Sequence, residues 1–171
     1  NIKLKRHKKT FIKKFEIPDW NIDLIDTGQE TLTGGRLLRL KSILSREKNF
    51  MLTYGDGLCD VDIKKLLKFH IENNKIATVT AVRPMSRFGN IQIKNNDVKS
   101  FKEKVQQKEG WINGGFFIFN KKIFDYLEND KTVLEQNPMS QLVKDNQLVA
   151  YKHKGFWACM DTLRDKEELE K

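Results

Sequence analysis

The stretch TYGDGLCDVD, residues 53–62, decides the fold of this chain. An apolar run, FML at residues 50–52, precedes it, and the nonapeptide after it, IKKLLKFHI, places apolar side chains at helical spacing. The pattern predicts a strand, a turn and a helix, with Asp60 or Asp62 as the helix N-cap. Two glycines flank Asp56 and allow a sharp turn. The Asp56 carboxylate is therefore expected at the carboxyl end of the strand, where open α/β sheets bind ligands.

The size and composition of the chain indicate one domain spanning residues 1–171. The hydrophobic fraction is 39% and the charged fraction 32%, and no apolar run approaches the roughly 18 residues of a membrane span. Cys59 and Cys159 belong to no CxxC pair, and the three histidines lack ligand spacing, which argues against a disulfide framework or a structural zinc site. We therefore expect a reducing, cytoplasmic location. The chain starts with Asn and shows no signal-peptide pattern, so we expect an N-terminally incomplete piece of a longer chain.

The net charge is +9, and much of the positive charge lies on the lysines and the arginine of residues 3–14. Such a cluster can attract nucleic acid or phosphate, or it can be a solvated edge strand whose lysines discourage pairing with another chain. No aromatic platform or known nucleic-acid motif accompanies it. We favour the edge strand and expect neither a nucleic-acid nor a membrane partner.

A second segment rich in glycine and threonine, TGQETLTGGR at residues 27–36, follows two predicted extended segments at 10–17 and 22–27. Leucines 37, 40 and 44 then line one face of a predicted helix. A glycine-rich loop in this position can point backbone N–H groups at an anion, or it can simply connect two elements. Its spacing matches neither the Walker pattern nor GxGxxG and therefore favours the plain connection.

The remaining sequence predicts a mixed, mostly parallel, three-layer α/β sheet. The β-branched run at 76–82 is typical of a buried strand joined to the first by a right-handed parallel crossover. Later segments have the following predicted forms: a hairpin at 90–94 and 98–102 across Asn95-Asn96-Asp97, a strand at 111–119 with a bulge or close ligand approach at Gly114-Gly115, short helices at 123–127 and 139–146, strands at 148–151 and 156–160, and a charged helix at 162–171.

A second carboxylate of interest, Asp161, follows the last predicted strand in FWACMDTLRD. Asp161 or Thr162 could simply cap the next helix, with Asp165 completing a capping box. Together with Asp56, however, Asp161 could share one magnesium ion at the carboxyl ends of two strands. Further polar candidates for ligand contacts are Glu103, Lys104 and Asn113, among which spacing alone does not choose.

The motifs TGQETLTGGR, TYGDGLCDVD, RFGNIQI, FKEK, WINGGFFIF and GFWACMDTLRD occur in this order. Together they resemble the glucose-1-phosphate cytidylyltransferases, a branch of the sugar-phosphate nucleotidyltransferases. The resemblance runs from about residue 17 to the end. It implies a Rossmann-like nucleotidyltransferase fold and a reaction in which CTP and α-D-glucose 1-phosphate give CDP-glucose and pyrophosphate.

The resemblance also implies roles for individual residues. Asp56 and Asp161 would be catalytic and hold Mg²⁺. Thr31, Arg36 and Gly55 would contact the nucleotide. Glu103, Lys104, Asn113 and Gly114 would line the side that binds the sugar phosphate. Relatives of this kind commonly form homo-oligomers, so a homo-oligomer is expected here.

The chain departs from the family pattern at three places. A glycine-rich loop of the type GGxGTR, which holds the triphosphate, has no match in the 171 residues, so the expected fold lacks its first strand and that loop. Val105 follows Glu103-Lys104 where a proline is usual, and Cys159 also replaces a proline. We therefore expect this segment alone to be inactive. Alternatives are a relative that uses another nucleotide or sugar, and a non-catalytic domain that binds nucleotide sugars.

Overall fold

The structure is a computed structural model that describes residues 21–84, 90–102 and 110–170. None of the helices in these ranges is long and apolar enough to cross a membrane. The elements in chain order are α1 (Thr33–Arg39), α2 (Lys41–Leu44), β1 (Asn49–Thr53), β2 (Gly57–Cys59), α3 (Ile63–Asn73), β3 (Ala77–Val82), β4 (Asn90–Lys94), β5 (Asp97–Lys102), β6 (Ile112–Asn120), a 3₁₀ helix (Lys121–Tyr126), α4 (Asn137–Lys144), β7 (Leu148–Lys152), β8 (Trp157–Cys159) and α5 (Leu163–Leu169).

The central sheet has four strands in the order β1, β6, β3, β7. Strand β6 is antiparallel to both of its neighbours, and β3 pairs with β7 in parallel. Three of the four strands therefore run in one direction, and the predicted mixed, mostly parallel α/β sheet is confirmed. Strands β1 and β3 run in the same direction, as predicted, but β6 lies between them.

The long strand β6 shows why the sheet is covered on both faces. Phe117 and Phe119 belong to a buried cluster with residues of α1, the 3₁₀ helix and α4, whereas Ile118 packs with Leu66 of α3. Because successive side chains of a strand point to opposite faces, these contacts place helices on both sides of the sheet. The predicted three layers are present.

Helix α3 begins and ends through local signals in its sequence. The Asp62 carboxylate accepts a hydrogen bond from the backbone N–H of Lys65, so Asp62, rather than Asp60, is the N-cap. Asn74 ends the helix in the left-handed conformation with φ of 48°. Between the caps, His70 is buried, and its Nδ1 lies 2.8 Å from Thr78 Oγ1 on β3.

The structure corrects several predicted boundaries. The turn after the first strand contains a further strand, β2, because residues 57–59 pair with residues 157–159 near the other end of the chain. The hairpin turn is only Asn95-Asn96, since both residues adopt positive φ and Asp97 already pairs with Lys94. Residues 22–27 form no helix or strand and pair with no described strand, while the segment 10–17 lies outside the described residues.

Candidate functional site

Two short strands bring the two predicted metal ligands together. In the two-stranded sheet of β2 and β8, which we call the ribbon, Gly57 pairs with Cys159. Just beyond this pair, the Met160 N–H donates to the Asp56 carbonyl oxygen at 2.9 Å. The ligand atoms of Asp56, Cys159 and Asp161 consequently lie within 4.8 Å of one another. The ribbon therefore unites residues that are about a hundred positions apart.

The alternative role of Asp161 as a helix cap is not observed. Thr162 is the N-cap of α5, and its hydroxyl accepts from the Asp165 N–H while the Asp165 carboxylate accepts from the Thr162 N–H. The predicted capping box is therefore confirmed with Thr162 as its first member. The Asp161 carboxylate instead accepts a hydrogen bond from the Cys159 thiol at 3.0 Å.

The donor set at this end of the ribbon fits a hard divalent cation. Asp56 and Asp161 are both exposed and supply carboxylate oxygens, the ligands that Mg²⁺ prefers. Magnesium commonly keeps several water or phosphate ligands beside one or two carboxylates, which an exposed position permits. The thiol of Cys159 is a soft ligand and adds nothing to magnesium affinity.

The glycines beside Asp56 do not act as predicted. Neither Gly55 nor Gly57 has positive φ, so the turn does not depend on their conformational freedom, and that explanation is wrong. A Cβ atom added at Gly55 would meet no atom within 4 Å, whereas one at Gly57 would make ordinary contact with Phe116. The backbone at Gly55 therefore borders open space beside the two carboxylates.

The predicted bulge at Gly114-Gly115 is present in β6. Between the pairs Val79–Phe117 and Ala81–Asn113, β3 has one residue and β6 has three. Gly115 has φ of +77°, and a Cβ there would lie 2.8 Å from the Tyr54 ring. The indole N–H of Trp157 donates to the Gly114 carbonyl oxygen at 2.8 Å and so connects the bulge to the ribbon. A candidate for sugar-phosphate binding, Gly114, is thereby placed next to the strand pair that carries the two aspartates.

Asn113 is held by hydrogen bonds within the protein. Its Oδ1 accepts from the Gly115 N–H at 2.9 Å, and its Nδ2 donates to the Tyr54 hydroxyl at 3.2 Å. Tyr54 in turn donates to Glu135 at 2.5 Å, and the second oxygen of Glu135 accepts from the Thr33 hydroxyl at 2.7 Å. Burial and the bond to Glu135 raise the pKa of Tyr54, which keeps it a hydroxyl donor. Among the described residues, one amide N–H and one lone pair of Asn113 have no partner and are left for a ligand.

The glycine-rich segment packs against another loop. The backbone N–H groups of Gly34 and Gly35 donate to the Thr132 carbonyl oxygen, and that of Leu32 donates to the Asp130 carbonyl oxygen. A Cβ at Gly35 would come within 2.4 Å of that same Asp130 carbonyl oxygen. These glycines are therefore required for close packing of two protein segments, and this contradicts the interpretation of the loop as an anion cradle. The loop also ends earlier than predicted, because α1 already begins at Thr33.

The two side chains predicted to contact the nucleotide from this segment differ in accessibility. Thr31 is buried, only 5% exposed. Arg36 is exposed and donates to the Thr27 hydroxyl at 2.8 Å and to the Gln29 carbonyl oxygen at 3.1 Å. The guanidinium therefore braces the loop and keeps further donors for a ligand. The candidates Glu103 and Lys104 lie outside the described residues.

A family model for nucleotidyl transferases matches residues 14–162. The chain belongs to the nucleotidyl transferase family. The resemblance drawn from the motifs is thus confirmed at the level of the family.

The curated relatives of this chain are named for different sugars and nucleotides. Glucose-1-phosphate cytidylyltransferase of Salmonella typhimurium is 45% identical over 154 residues, which make up 90% of this chain and 60% of that protein. A probable glucose-1-phosphate cytidylyltransferase of Bacillus subtilis is 40% identical over 153 residues, 89% of this chain and 59% of the relative. A mannose-1-phosphate guanylyltransferase subunit of Drosophila melanogaster is 32% identical and covers 80% of this chain. The chain thus spans about three fifths of the length of its cytidylyltransferase relatives.

Two solved proteins have a similar fold. HddC from Yersinia pseudotuberculosis, also solved in complex with GMP-PN, has a TM-score of 0.58 and 25% identity, and the match covers 81% of this chain and 60% of HddC. A putative glucose-1-phosphate thymidylyltransferase from Bacillus anthracis has a TM-score of 0.60 at 16% identity, covers 82% of this chain and 61% of its own, and shows likeness of fold.

Sequence reasoning missed three contributors to the candidate site. Tyr54 and Trp157 stand inside quoted motifs, where nothing but their aromatic character marks them. Glu135 belongs to no motif, and only the folded chain brings it to Tyr54, 81 positions earlier. Long-range hydrogen bonds of this kind have no signal in local spacing.

Proposed function

We propose that the protein transfers CMP from CTP to α-D-glucose 1-phosphate and so forms CDP-glucose and pyrophosphate, with Mg²⁺ held by Asp56 and Asp161. The observation that carries the proposal is the convergence of these two carboxylates on the ribbon, within 4.8 Å, beside the open backbone at Gly55. The 45% identity to the Salmonella cytidylyltransferase supports the choice of CTP and glucose 1-phosphate.

In the proposed reaction an oxygen of the sugar phosphate attacks the α-phosphorus of CTP. A new P–O bond forms while the bond to pyrophosphate breaks, and no covalent enzyme intermediate is needed. When bound, magnesium would act as a Lewis acid and would orient the phosphates. The residues of the chain supply positioning: Asp56 and Asp161 fix the cation, and the backbone of Gly114 with the amide of Asn113 orients the sugar phosphate.

The nucleotide and the sugar could differ, because the relatives include guanylyltransferases and a nucleotide-reading loop changes preference through a few contacts. A non-catalytic domain that binds nucleotide sugars is the second alternative. A comparison of several nucleotides distinguishes each of these alternatives from the reaction with CTP.

The test measures pyrophosphate release by the full-length product of the reading frame that contains these residues. Glucose 1-phosphate and magnesium are supplied with CTP, UTP, dTTP, ATP or GTP in turn. We expect release with CTP and expect that Asp56→Asn and Asp161→Asn each lower it by roughly a hundredfold or more, because the charge that holds the cation is lost.

Asp125→Asn is the matched control, because Asp125 is an exposed aspartate on the 3₁₀ helix and belongs to neither group of potential metal ligands. It should leave the rate unchanged. A preference for another nucleotide would favour the first alternative. Silence with every nucleotide from a folded protein would favour the non-catalytic domain.

Three further expectations accompany the proposal. The 171 residues alone should release no pyrophosphate, because no GGxGTR loop is present to hold the triphosphate. The protein is expected in the cytoplasm and as a homo-oligomer, and fractionation and mass measured in solution test these two points.

A further inference from the structure

A second cluster of potential ligands lies at the opposite end of the ribbon from Asp56. One ligand atom each from Cys59, Asp60 and His153 falls within 4.8 Å of the others. Cys59 is the last residue of β2, Asp60 follows it, and His153 follows β7. None of these residues has a part in the proposed transfer reaction.

The cluster is built on fixed backbone. The His153 N–H donates to the Ala81 carbonyl oxygen at 2.9 Å, and the Asp60 N–H donates to the Phe156 carbonyl oxygen at 3.2 Å. The His153 side chain is only 11% exposed, and its Nε2 lies 2.8 Å from Asp60 Oδ1. A Cβ at Gly155 would come within 2.4 Å of that carboxylate oxygen, so the absence of a side chain at Gly155 makes room for the cluster.

We propose that Cys59, Asp60 and His153 form a binding site for a divalent transition metal of the zinc class. The donor set contains one sulfur, one imidazole nitrogen and one carboxylate oxygen, which are the three ligand types that Zn²⁺ takes in proteins. The cluster of Asp56 and Asp161 offers two carboxylates and suits magnesium instead. The ribbon thus carries a hard-cation site at one end and a zinc-class site at the other.

Metal binding requires that His153 Nε2 and the Cys59 thiol give up their hydrogens. Nε2 of His153 faces two acceptor oxygens, Asp60 Oδ1 and the Phe156 carbonyl at 3.2 Å, and the tautomer that hydrogen-bonds to them has its hydrogen on Nε2. On binding, the proton moves to Nδ1 or leaves to solvent, the Cys59 thiol loses its proton to solvent, and the metal takes both lone pairs. No redox step is involved.

The distance between His153 Nε2 and Asp60 Oδ1 fits a shared metal after a small adjustment, and Cys59 Sγ lies within 4.8 Å of both atoms. Two ligands at about 2.1 Å from a tetrahedral zinc are about 3.4 Å apart, so the oxygen of Asp60 has to move about 0.6 Å away from Nε2. Asp60 can make this movement because its side chain is 60% exposed. Water completes the coordination on that exposed side. The bound metal would fasten the ribbon to the segment that follows β7.

The experiment titrates the full-length product with Co²⁺, a spectroscopic substitute for zinc, in excess Mg²⁺ that occupies the carboxylate site. We expect one equivalent of cobalt to give a thiolate-to-cobalt charge-transfer band that Zn²⁺ abolishes by competition. Cys59→Ser should remove the band and weaken Zn²⁺ binding at least tenfold. Cys159→Ser is the matched control, since it removes the other cysteine of the ribbon, and it should keep the band.

A second measurement uses the Cys159→Ser protein, in which Cys59 is the one remaining cysteine of these 171 residues, and follows the alkylation of the peptide that contains Cys59, so that its own substitution is not required. Zn²⁺ should slow alkylation of that thiol at least tenfold, and a chelator should restore the rate. Loss of the band in Cys159→Ser with its retention in Cys59→Ser would place the metal at the other cluster and overturn the proposal. Absence of both the band and the protection would leave a hydrogen-bonded contact between His153 and Asp60 and would overturn it too.

Discussion

The central sheet and the ribbon are built in opposite ways. In the sheet, Ile118 and Phe119 of β6 are fully buried, and helices cover both faces. In the ribbon, each strand has three residues, and Leu58 is about half exposed. The ribbon depends on a few specific hydrogen bonds, such as that from Trp157 to Gly114.

The difference shows where stability and chemistry reside in this chain. Buried apolar area supplies most of the free energy of folding, so the sheet fixes the scaffold. Groups that meet a ligand have to stay accessible, and both candidate metal sites therefore lie on the ribbon. Substitutions in the sheet should change the free energy of unfolding, and substitutions along the ribbon should change binding.

The largest expected effect is on the sheet. Phe119→Ala should lower the free energy of unfolding by about 3–5 kcal/mol, because it removes a fully buried ring that packs against Phe50 and Phe117. Leu58→Ala on the ribbon is the comparison and should cost less than about 1 kcal/mol. Urea unfolding of the full-length product measures both values. Similar losses for the two variants would show that the ribbon is part of the core.

A smaller difference in the free energy of unfolding is expected between substitutions at two glycines of the site. Gly115→Ala should lower the free energy of unfolding by roughly 1–3 kcal/mol, since its φ is +77° and its Cβ would meet the Tyr54 ring. Gly55→Ala should change it by no more than about 0.5 kcal/mol, because the space there is open. If the nucleotide approaches the backbone at Gly55, the same variant should weaken CTP binding in a titration. Unchanged CTP affinity would remove Gly55 from the nucleotide site.

The smallest expected effect is a dependence of stability on pH. Burial lowers the pKa of His70, so the unfolded chain, with a histidine pKa near 6.5, binds a proton before the folded one does. Stability from this residue is therefore complete above that value and falls as pH drops, by at most about 1.4 kcal/mol per pH unit. Urea unfolding between pH 7.5 and 5.5 measures the slope. His70→Gln, which can still bond to Thr78, should flatten it, and an equally steep slope in that variant would assign the effect elsewhere.

Much of the scaffold could be predicted from local pattern. The β-branched run gave β3, the helical spacing gave α3, and the asparagine pair gave the hairpin. Two of the wrong boundaries, those at residues 57–59 and 22–27, depend on pairing with distant residues. Strand β2 exists only because residues 157–159 lie beside it, and residues 22–27 lack such a partner among the described residues.

At the candidate site, too, only some features could be predicted from the sequence. Asp56 and Asp161 could be selected because their motifs are specific, and the ribbon brings them together. The roles of Gly35 and Gly55 could not be predicted, because a glycine has no side chain whose pattern reveals what packs against it. Gly35 serves contact with the Asp130 backbone, whereas Gly55 faces open space, and only the three-dimensional contacts distinguish the two.

The sequence by itself determined the family and the order of the main elements and selected the two candidate aspartates, because these depend on periodicity and on contiguous motifs. The tertiary structure alone decided the ribbon, the hydrogen bonds from Glu135 to Asn113 through Tyr54, and the cluster of Cys59, Asp60 and His153. Ligand spacing along the chain argued against a structural zinc site. Folding nevertheless brings together residues more than ninety positions apart, because hydrogen bonds and metal ligands depend on distance in space and not on distance along the chain.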